Sequence, residues 1–377
     1  MVGESSGDLL GADLLDELSK RFSRVEAVGI GGPKMVEAGF KPWYSSTELS
    51  VMGYVEVLSR LPRLLQIRSK VFKRIREFKP DLFLGIDAPD FNLRLEMAVR
   101  KEGIPVVHYV SPSIWAWRYD RIHKIRLAVD KMLVVFPFEK EIYEREAIPV
   151  SYVGHPLADR LAGQVDKLST RKENGLDDDQ LVLALLPGSR DTEIKQHLGL
   201  MLDVAKIVKN NKPKAKFLLP AVNADSADHL VQMIRALGGE FAGEIRVLVG
   251  GAHEAFAAAD VAVVASGTAT LEGMLLECPM VVTYRVTKVT AWLMRRSSTA
   301  QFIALPNIIA GLEVVPELVQ EDADSERIAR EVLDIDADLN RKNNMINSFR
   351  EMNADLSVGS ACRSADAIAK LLKHYDD

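Results

Sequence analysis

The chain alternates short apolar runs with longer stretches in which apolar residues recur every three or four positions. The short runs end in Gly, Asp or Ser, which is typical of buried parallel strands that lead into loops and helices. Strands are predicted at residues 25–30, 82–86, 105–110, 132–135, 181–186, 216–220, 245–249, 261–265 and 280–284. The pattern therefore predicts an α/β protein of two doubly wound, Rossmann-like domains that face a central cleft.

Helical periodicity fills the segments between those strands and returns at residues 360–375, after Gly359. A polar stretch, residues 172–180, precedes the second set of strands, so the boundary is expected soon after the sequence V-G-H-P at residues 153–156. We expect an N-terminal domain over residues 1–160 and a C-terminal domain over residues 161–355. Residues 356–377 are expected to form a helix that packs on the first domain or on a partner subunit.

The composition argues against several classes of protein. The 377 residues carry a net charge of −5, so a general nucleic-acid binder is not expected. The two cysteines lie far apart and outside any C-x-x-C or Cys/His spacing, so neither a disulfide framework nor a zinc site is expected. No apolar run reaches the roughly 18 residues of a membrane span, and no secretory leader is recognisable. These features favour a cytoplasmic protein.

The first chemically suggestive loop follows an apolar strand in the front half. The sequence G-I-D-A-P-D-F-N places Asp87 and Asp90 at the carboxyl end of that strand, where a ligand is expected. A general base belongs here, although an N-cap of the next helix explains one aspartate equally well. Asp87 comes first off the strand and is the expected base, whereas Asp90 follows Pro89 and is better placed to cap the helix. Ser6, in the sequence G-E-S-S-G-D, opens the first helix in the same way.

Two loops in the back half are suited to phosphate. The sequence P-G-S-R follows a strand with Gly188, Ser189 and Arg190, and Glu193 stands on the next helix. A second strand leads into S-G-T-A-T-L-E, and helix N-termini of this kind attract anions. Neither loop matches a dinucleotide-binding or P-loop motif. Two phosphate-type loops on one domain, with a glutamate placed to bind ribose hydroxyls, instead indicate a nucleotide diphosphate-sugar. The alternative is that the loops bind no ligand and only cap two ordinary helices. The expected site residues of the second loop are Ser266, Gly267, Thr268, Thr270 and Glu272.

Ten motifs occur in a fixed order along nearly the whole chain. They are G-E-S-S-G-D-L-L-G-A, G-G-P-K-M, V-M-G-Y-V-E-V-L, G-I-D-A-P-D-F-N, H-Y-V-S-P-S-I-W-A-W-R, F-P-F-E, V-G-H-P, L-L-P-G-S-R, A-S-G-T-A-T-L-E and L-P-N-I-I-A-G. In these motifs the chain resembles the lipid-A-disaccharide synthase family. The resemblance implies an inverting glycosyltransferase of the glycosyltransferase-B architecture. Such an enzyme joins UDP-2,3-diacylglucosamine to 2,3-diacylglucosamine 1-phosphate through a β-1,6 bond and releases UDP.

The resemblance also implies roles for individual residues. Asp87 would be the general base, and Arg190 would contact the pyrophosphate. The nucleotide pocket would contain Ser266, Gly267, Thr268 and Glu272, with Asn307 of the sequence L-P-N nearby. No pair of histidines has metal-ligand spacing, so no metal ion and no cofactor are expected, and activity should survive EDTA. Family members are peripheral proteins of the inner face of the inner membrane, often dimers with exchanged C-terminal segments, so a homodimer is expected.

One departure from the family concerns the start of the chain. Family members have a full apolar strand before the first motif, whereas only Met1 and Val2 precede it here. The first strand is therefore expected to be truncated.

A membrane-facing surface is expected near residues 52–79. Eight basic residues face the single acidic Glu77 between Arg60 and Lys79. A core stripe is assigned to Leu64, Ile67, Val71, Ile75 and Phe78, with Pro62 in the first turn of the helix. An anionic membrane surface would contact the apolar residues that remain, which are Met52, Val55, Leu58, Leu61, Leu65 and Phe72. Burial of these residues inside the first domain is the alternative.

Two other functions are compatible with the same motifs. A UDP-sugar 2-epimerase shares the architecture and the UDP pocket but needs no lipid-facing surface. A non-catalytic protein that binds a nucleotide-sugar or a lipid is the second alternative. Incubation with the donor and the acceptor separates the three functions, because the product is a disaccharide, an epimer or nothing.

Overall fold

The computed structural model describes residues 1–49, 54–163, 166–286 and 301–376. The chain forms two compact units: unit 1 contains Met1–Asp159 and Leu356–Asp377, and unit 2 contains Arg160–Asp355. In each unit the described strands pair in parallel and helices connect them. The predicted α/β class, with two Rossmann-like units, is therefore confirmed.

Unit 1 carries short strands in two sheets. The strands are β1 (Val28–Gly31), β2 (Lys41–Ser45), β3 (Phe83–Ile86), β4 (Val106–Tyr109), β5 (Lys131–Val134) and β6 (Val150–Tyr152). One sheet pairs β1 with β2, and the other has the order β3-β4-β5-β6. Val2 joins the two sheets, because its N–H donates to Ile30 and it forms a parallel bridge with Ile86. Met1 and Val2 therefore occupy the place of a central strand.

The helices of unit 1 cover these strands. They are α1 (Ser5–Arg21), α2 (Pro33–Glu37), α3 (Tyr54–Phe78), α4 (Pro89–Lys101), α5 (Ile122–Ala128), α6 (Pro137–Arg145), α7 (Pro156–Leu161), which crosses the boundary, and the C-terminal helix Ser360–Asp376. Short 3-10 helices lie at Ser46–Glu48 and Tyr119–Arg121. The C-terminal helix packs on α1, where Arg21 contacts Asp366 at 2.7 Å. Asp159 accepts the N–H groups of Gly359 and Ser360 at the start of that helix.

Unit 2 is built on a parallel sheet of the order β12-β11-β10-β7-β8-β9. Its strands are β7 (Val182–Leu186), β8 (Lys216–Ala221), β9 (Ile245–Val249), β10 (Val261–Ala265), β11 (Met280–Tyr284) and β12 (Glu317–Val319). Its helices are α8 (Lys167–Glu173), α9 (Asp191–Asn211), α10 (Ala224–Gly238), α11 (Ala252–Ala258), α12 (Thr268–Leu275), α13 (Leu305–Ala310), α14 (Ser325–Ala337) and α15 (Leu339–Leu356), with a 3-10 helix at Gly239–Glu244. Strands β7 and β10 are buried along their whole length, which explains their unbroken apolar sequences.

The helix that carries the basic residues differs from the prediction. It begins at Tyr54, so Pro62 lies inside the helix and not in its first turn. Ile67, Val71 and Ile75 are buried as predicted, but Phe78 is partly exposed and forms a T-shaped pair with Trp43. Strands β2, β6 and β12 were not predicted, because none of them is a fully buried apolar run.

Candidate active site

Unit 1 has a topological switch point beside the Met1–Val2 segment. The chain leaves this segment toward β1 and β2 on one side, and β3 pairs with it on the other side. The loop after Val2 and the loop after β3 therefore emerge side by side. Gly3 and Ala88 are so close that a Cβ on Gly3 would lie 2.7 Å from the Cβ of Ala88. The motifs G-E-S-S-G-D and G-I-D-A-P-D thus meet where ligands bind in open α/β sheets.

The Asp87 turn has a strained backbone. Asp87 and Ala88 both adopt left-handed conformations, with φ of 51° and 45°. Each such residue costs on the order of 1 kcal/mol, and strain of this kind clusters at functional sites. The amide of Asn92 donates to the Asp87 carbonyl at 2.7 Å and thereby holds the turn. The Asp87 side chain is half-buried.

Asp90 is in a different environment. Its side chain is 85% exposed and pairs with Arg121 at 2.8 Å. The expected N-cap role is wrong, because Ala88 is the N-cap of α4 and no side chain caps that helix. Asp90 lies in the first turn of α4 and neutralises an arginine.

The G-E-S-S-G-D loop contains a structural carboxylate that sequence reasoning did not single out. Asp8 is buried and accepts the backbone N–H groups of Gly32, Lys34 and Met35 at 2.8 to 3.1 Å. It therefore satisfies the N-terminus of α2 from another helix. Ser6 is exposed in the first turn of α1, next to the switch point.

The aromatic segment after β4 is supported by a buried carboxylate. Glu139 accepts from the backbone of Val135 and Phe136 and from the indole of Trp115. Burial raises the pKa of Glu139 to about 7, although these hydrogen bonds oppose the shift. Trp117 is 47% exposed, with Arg118 and Arg121 over its ring. It is therefore the available tryptophan of the segment, whereas Trp115 is tied to the core.

Unit 2 has its own switch point between β7 and β10. These strands are paired neighbours, yet the chain continues from β7 to β8 on the far side. The P-G-S-R loop follows β7 and the S-G-T-A-T-L-E loop follows β10, so both leave the same edge of the sheet side by side. The two phosphate-type loops are thus adjacent.

In the P-G-S-R loop, the N–H groups are bound by a carboxylate of the helix that follows, α9. The Glu193 carboxylate accepts the N–H groups of Ser189 and Arg190 at 3.2 and 3.4 Å and pairs with the Arg190 guanidinium at 3.0 Å. Gly188 has φ of +112°, and a Cβ there would lie 2.6 Å from Glu193. The expected phosphate donors are therefore occupied by a carboxylate, and the Arg190 side chain is 80% exposed.

The S-G-T-A-T-L-E loop divides into structural and accessible residues. Ser266 donates to the Ile303 carbonyl, and buried Thr270 donates to Gly267 and accepts from the Leu305 N–H. Gly267, with φ of +147°, and Thr268 are exposed at the N-terminus of α12. A ligand anion can therefore reach the exposed pair.

Glu272 has a histidine partner. His253 lies at the start of α11, and its Nε2 is 3.5 Å from a Glu272 oxygen. The hydrogen bond to Glu272 raises the pKa of His253, although burial opposes the shift. The two residues are 19 positions apart in sequence, so no local motif links them.

Asn307 lies inside the fold. Its side chain is fully buried, donates to Val315 and Glu317 and accepts from Val314 and Val315. The amide is therefore engaged by the loop that follows α13, and the expected place of Asn307 near the nucleotide stays a prediction. In the described ranges, no cluster of three metal-ligating side chains occurs.

Two residues of the expected apolar surface are exposed on α3. Leu61 and Leu65 are 44% and 42% exposed. Phe72 packs against the core of unit 1, so its assignment to the patch is wrong. Met52 and the side chains of Val55 and Leu58 lie outside the described residues. None of the helices that the structure describes is both long and apolar enough to cross a bilayer.

Comparisons with known proteins cover almost the whole chain. A family model described as lipid-A-disaccharide synthetase matches residues 1–371. The lipid-A-disaccharide synthase of Thiobacillus denitrificans is 48% identical over 373 residues, which are 99% of this chain and 99% of that protein. The synthase of Escherichia coli O157:H7 is 41% identical over 371 residues, which cover 98% and 97% of the two chains.

Solved structures share the fold at low identity. A UDP-GlcNAc 2-epimerase from Neisseria meningitidis, bound to UDP-GlcNAc, has a TM-score of 0.64 at 15% identity and covers 99% of this chain and 98% of its own. A glycosyltransferase from Rickettsia africae has a TM-score of 0.58 at 10% identity, with coverage of 99% and 96%. At such identity the likeness concerns the fold alone.

Proposed function

This chain belongs to the lipid-A-disaccharide synthase family of glycosyltransferases, and from that premise we propose how its residues share the reaction. The donor is UDP-2,3-diacylglucosamine, and the acceptor is 2,3-diacylglucosamine 1-phosphate. The products are the β-1,6-linked disaccharide 1-phosphate and UDP. One observation carries the assignment of residues: in each unit, the loops with reactive side chains meet at a topological switch point.

Asp87 acts as the general base. The acceptor's 6-hydroxyl is a weak nucleophile at neutral pH, so a carboxylate has to take its proton as the oxygen attacks the anomeric carbon. Asp87 is half-buried on a turn that Asn92 holds rigid, whereas Asp90 is exposed and already paired with Arg121. Those contacts favour Asp87, since a base requires a fixed position.

Unit 2 binds the UDP part of the donor. Negative charge grows on the diphosphate as the bond to the sugar breaks, and fixed donors stabilise it. The donors are the Arg190 guanidinium and the N–H groups at Gly267 and Thr268, where α12 begins. The Glu272 carboxylate accepts a hydrogen bond from a ribose hydroxyl. A diphosphate that uses the P-G-S-R loop has to displace the Glu193 carboxylate from its N–H groups.

The base is tested by Asp87→Asn, with Asp90→Asn as the matched control. Asp87→Asn should fold, bind UDP and lose at least the roughly 100-fold that a missing general base costs. Asp90→Asn should keep most of the turnover. The opposite ranking would move the base to Asp90. Chromatography of the products separates disaccharide from an epimerised donor, and an epimer would refute glycosyl transfer.

The donor site is tested by UDP binding. Arg190→Ala should weaken UDP binding, whereas Lys195→Ala, which removes an exposed cation from the same helix, should not. Glu193→Gln should bind UDP more tightly, since it removes the competing charge. Equal affinities for Arg190→Ala and Lys195→Ala would exclude Arg190 from the diphosphate site. A loss of turnover in EDTA that Mg²⁺ restores would contradict the metal-free mechanism.

Contact with the inner face of the inner membrane is a further part of the proposal. Leu61 and Leu65 are exposed on a helix rich in Arg and Lys, and each basic residue near an anionic surface contributes about 1 kcal/mol. Leu61→Ser with Leu65→Ser should release the protein from anionic vesicles. Leu127→Ser, at another exposed leucine of unit 1, is the control. We also propose a homodimer, and sedimentation of a single monomeric species would exclude it.

A further inference from the structure

A buried histidine and glutamate lie behind the Asp87 turn. His108 is on β4 and Glu96 is on α4, and neither side chain has any exposed area. His108 Nδ1 is 2.6 Å from Glu96 Oε1. In the sheet, His108 is the cross-strand partner of Gly85, which lies two residues before Asp87. The pair therefore lies directly beneath the strand end that carries the base.

The sequence makes room for this pair. A Cβ on Gly85 would lie 1.9 Å from Glu96 Oε1 and 3.3 Å from His108 Nδ1. Only a glycine at this strand position lets the carboxylate reach the ring. Well-packed apolar side chains often stabilise a core as well as a buried ion pair does. Stability alone therefore does not account for the arrangement.

Two neighbouring carboxylates favour the charged form of the His108 ring. Burial disfavours the charge, but the Glu96 carboxylate, with help from Asp87, outweighs burial and raises the pKa of His108. In the described part of the chain, His108 Nε2 and Glu96 Oε2 are buried without a hydrogen-bond partner.

We propose that the Glu96–His108 pair is a positioning device that fixes the strand end and the turn that carry Asp87. The inference rests on the proposed role of Asp87 as the base. The pair ties α4 to β4 at the place that Gly85 leaves open, so the end of β3 is held beside it. A general base needs a fixed position relative to the hydroxyl whose proton it takes. Both side chains of the pair are fully buried, so the pair acts through Asp87 and not on a substrate directly.

The pair takes no part in bond making. In the reaction the acceptor O–H bond breaks and its proton moves to Asp87. The freed electron pair forms the new bond to the anomeric carbon, and the electrons of the old bond leave with UDP. Asp87 then returns the proton to water. The Glu96–His108 pair exchanges no proton in these steps and acts only through the position of Asp87.

The experiment is a double-mutant cycle on the full chain. His108→Gln and Glu96→Gln are each made alone and in the Asp87→Asn background, and kcat, UDP affinity and melting temperature are measured. We expect each single variant to lose about tenfold or more in kcat with UDP affinity unchanged, and neither to lower kcat further once Asp87 is Asn. A structural role would lower kcat by the same factor in both backgrounds and would overturn the proposal.

Asp130→Asn is the matched control. Asp130 lies at the opposite end of β4, where it pairs with Arg100 of α4 and accepts the Val106 N–H. Asp130→Asn should lower the melting temperature and leave kcat unchanged. If Asp87→Asn is fully active, the proposed function fails. If Asp87→Asn is inactive while His108→Gln and Glu96→Gln are fully active, the base assignment stands and only the positioning role fails.

Discussion

Replacing Gly85 with alanine should lower the free energy of unfolding of unit 1, and the size of the effect follows from the structure. The new Cβ would lie 1.9 Å from Glu96 Oε1, whereas an ordinary contact needs about 3.4 Å. The carboxylate must therefore retreat by about 1.5 Å, which breaks its 2.6 Å contact with His108. Overpacking a core costs about 1–3 kcal/mol, and a buried charge that loses its partner costs about 3–5 kcal/mol. Since both effects arise from one displacement, we expect a total loss of about 3–5 kcal/mol.

Urea unfolding followed by tryptophan fluorescence measures this loss. Trp43, Trp115 and Trp117 all lie in unit 1, so the signal reports mainly on that unit. Gly199→Ala is the control, because Gly199 is in the helix α9 with nothing within 4 Å of a new Cβ. Alanine there should stabilise unit 2 by about 0.5–1 kcal/mol and leave the fluorescence transition of unit 1 in place. A Gly85→Ala protein within about 1 kcal/mol of the parent would show that Glu96 can move without cost, and the argument for a fixed pair would fail.

Three further changes test other parts of the structure. Asp8→Ala should lower the free energy of unfolding by about 3 kcal/mol or more, because three backbone N–H groups lose their acceptor. Ser6→Ala, at an exposed position, should lower it by less than about 0.5 kcal/mol. Equal melting temperatures for the two variants would contradict the capping role of Asp8. Burial lowers the pKa of His155 to about 4, so the unfolded chain binds more protons than the native one between pH 6.5 and pH 4, and stability falls as the pH drops through that range. Between pH 7 and pH 5, the free energy of unfolding of His155→Asn should fall by about 2 kcal/mol less than that of the parent, as measured by urea titration. The same pH dependence in both proteins would mean that other groups cause the loss of stability. Asp159→Ala removes the acceptor of the N–H groups at the start of the C-terminal helix. Proteolysis of that helix should become severalfold faster, since a lost N-cap lowers helix stability by about 1 kcal/mol. An unaltered cleavage rate would mean that packing on α1 alone holds the helix.

The sequence predicts most strongly where one local pattern decides the structure. Strands β7 and β10 are continuous apolar runs and were placed within a residue of their bounds. Strand β2 was missed, because its five residues are half-buried or exposed and carry no apolar run. Small residues after β7 and β10 predict phosphate-binding loops, and that role stays a prediction.

Contacts between distant segments could not be predicted. The Glu96–His108 pair depends on the register between β3 and β4, and no spacing in the sequence encodes that register. The contact between His253 and Glu272 depends on how α11 packs beside α12, and no spacing in the sequence encodes that packing either. The occupation of the P-G-S-R loop by Glu193 depends on a side-chain rotamer, which sequence patterns do not specify.

Unit 1 is assembled from both ends of the chain, with unit 2 inserted between them. During synthesis, Arg160–Asp355 can leave the ribosome and fold while unit 1 still lacks the helix Ser360–Asp376. Until residues 360–376 have been synthesised, the face of α1 that this helix covers stays open to water or to a chaperone. Arg21 can meet Asp366 only after that point, across 345 positions of sequence. A ribosome that stalls just before residue 360 would therefore leave a finished unit 2 attached to an uncovered unit 1.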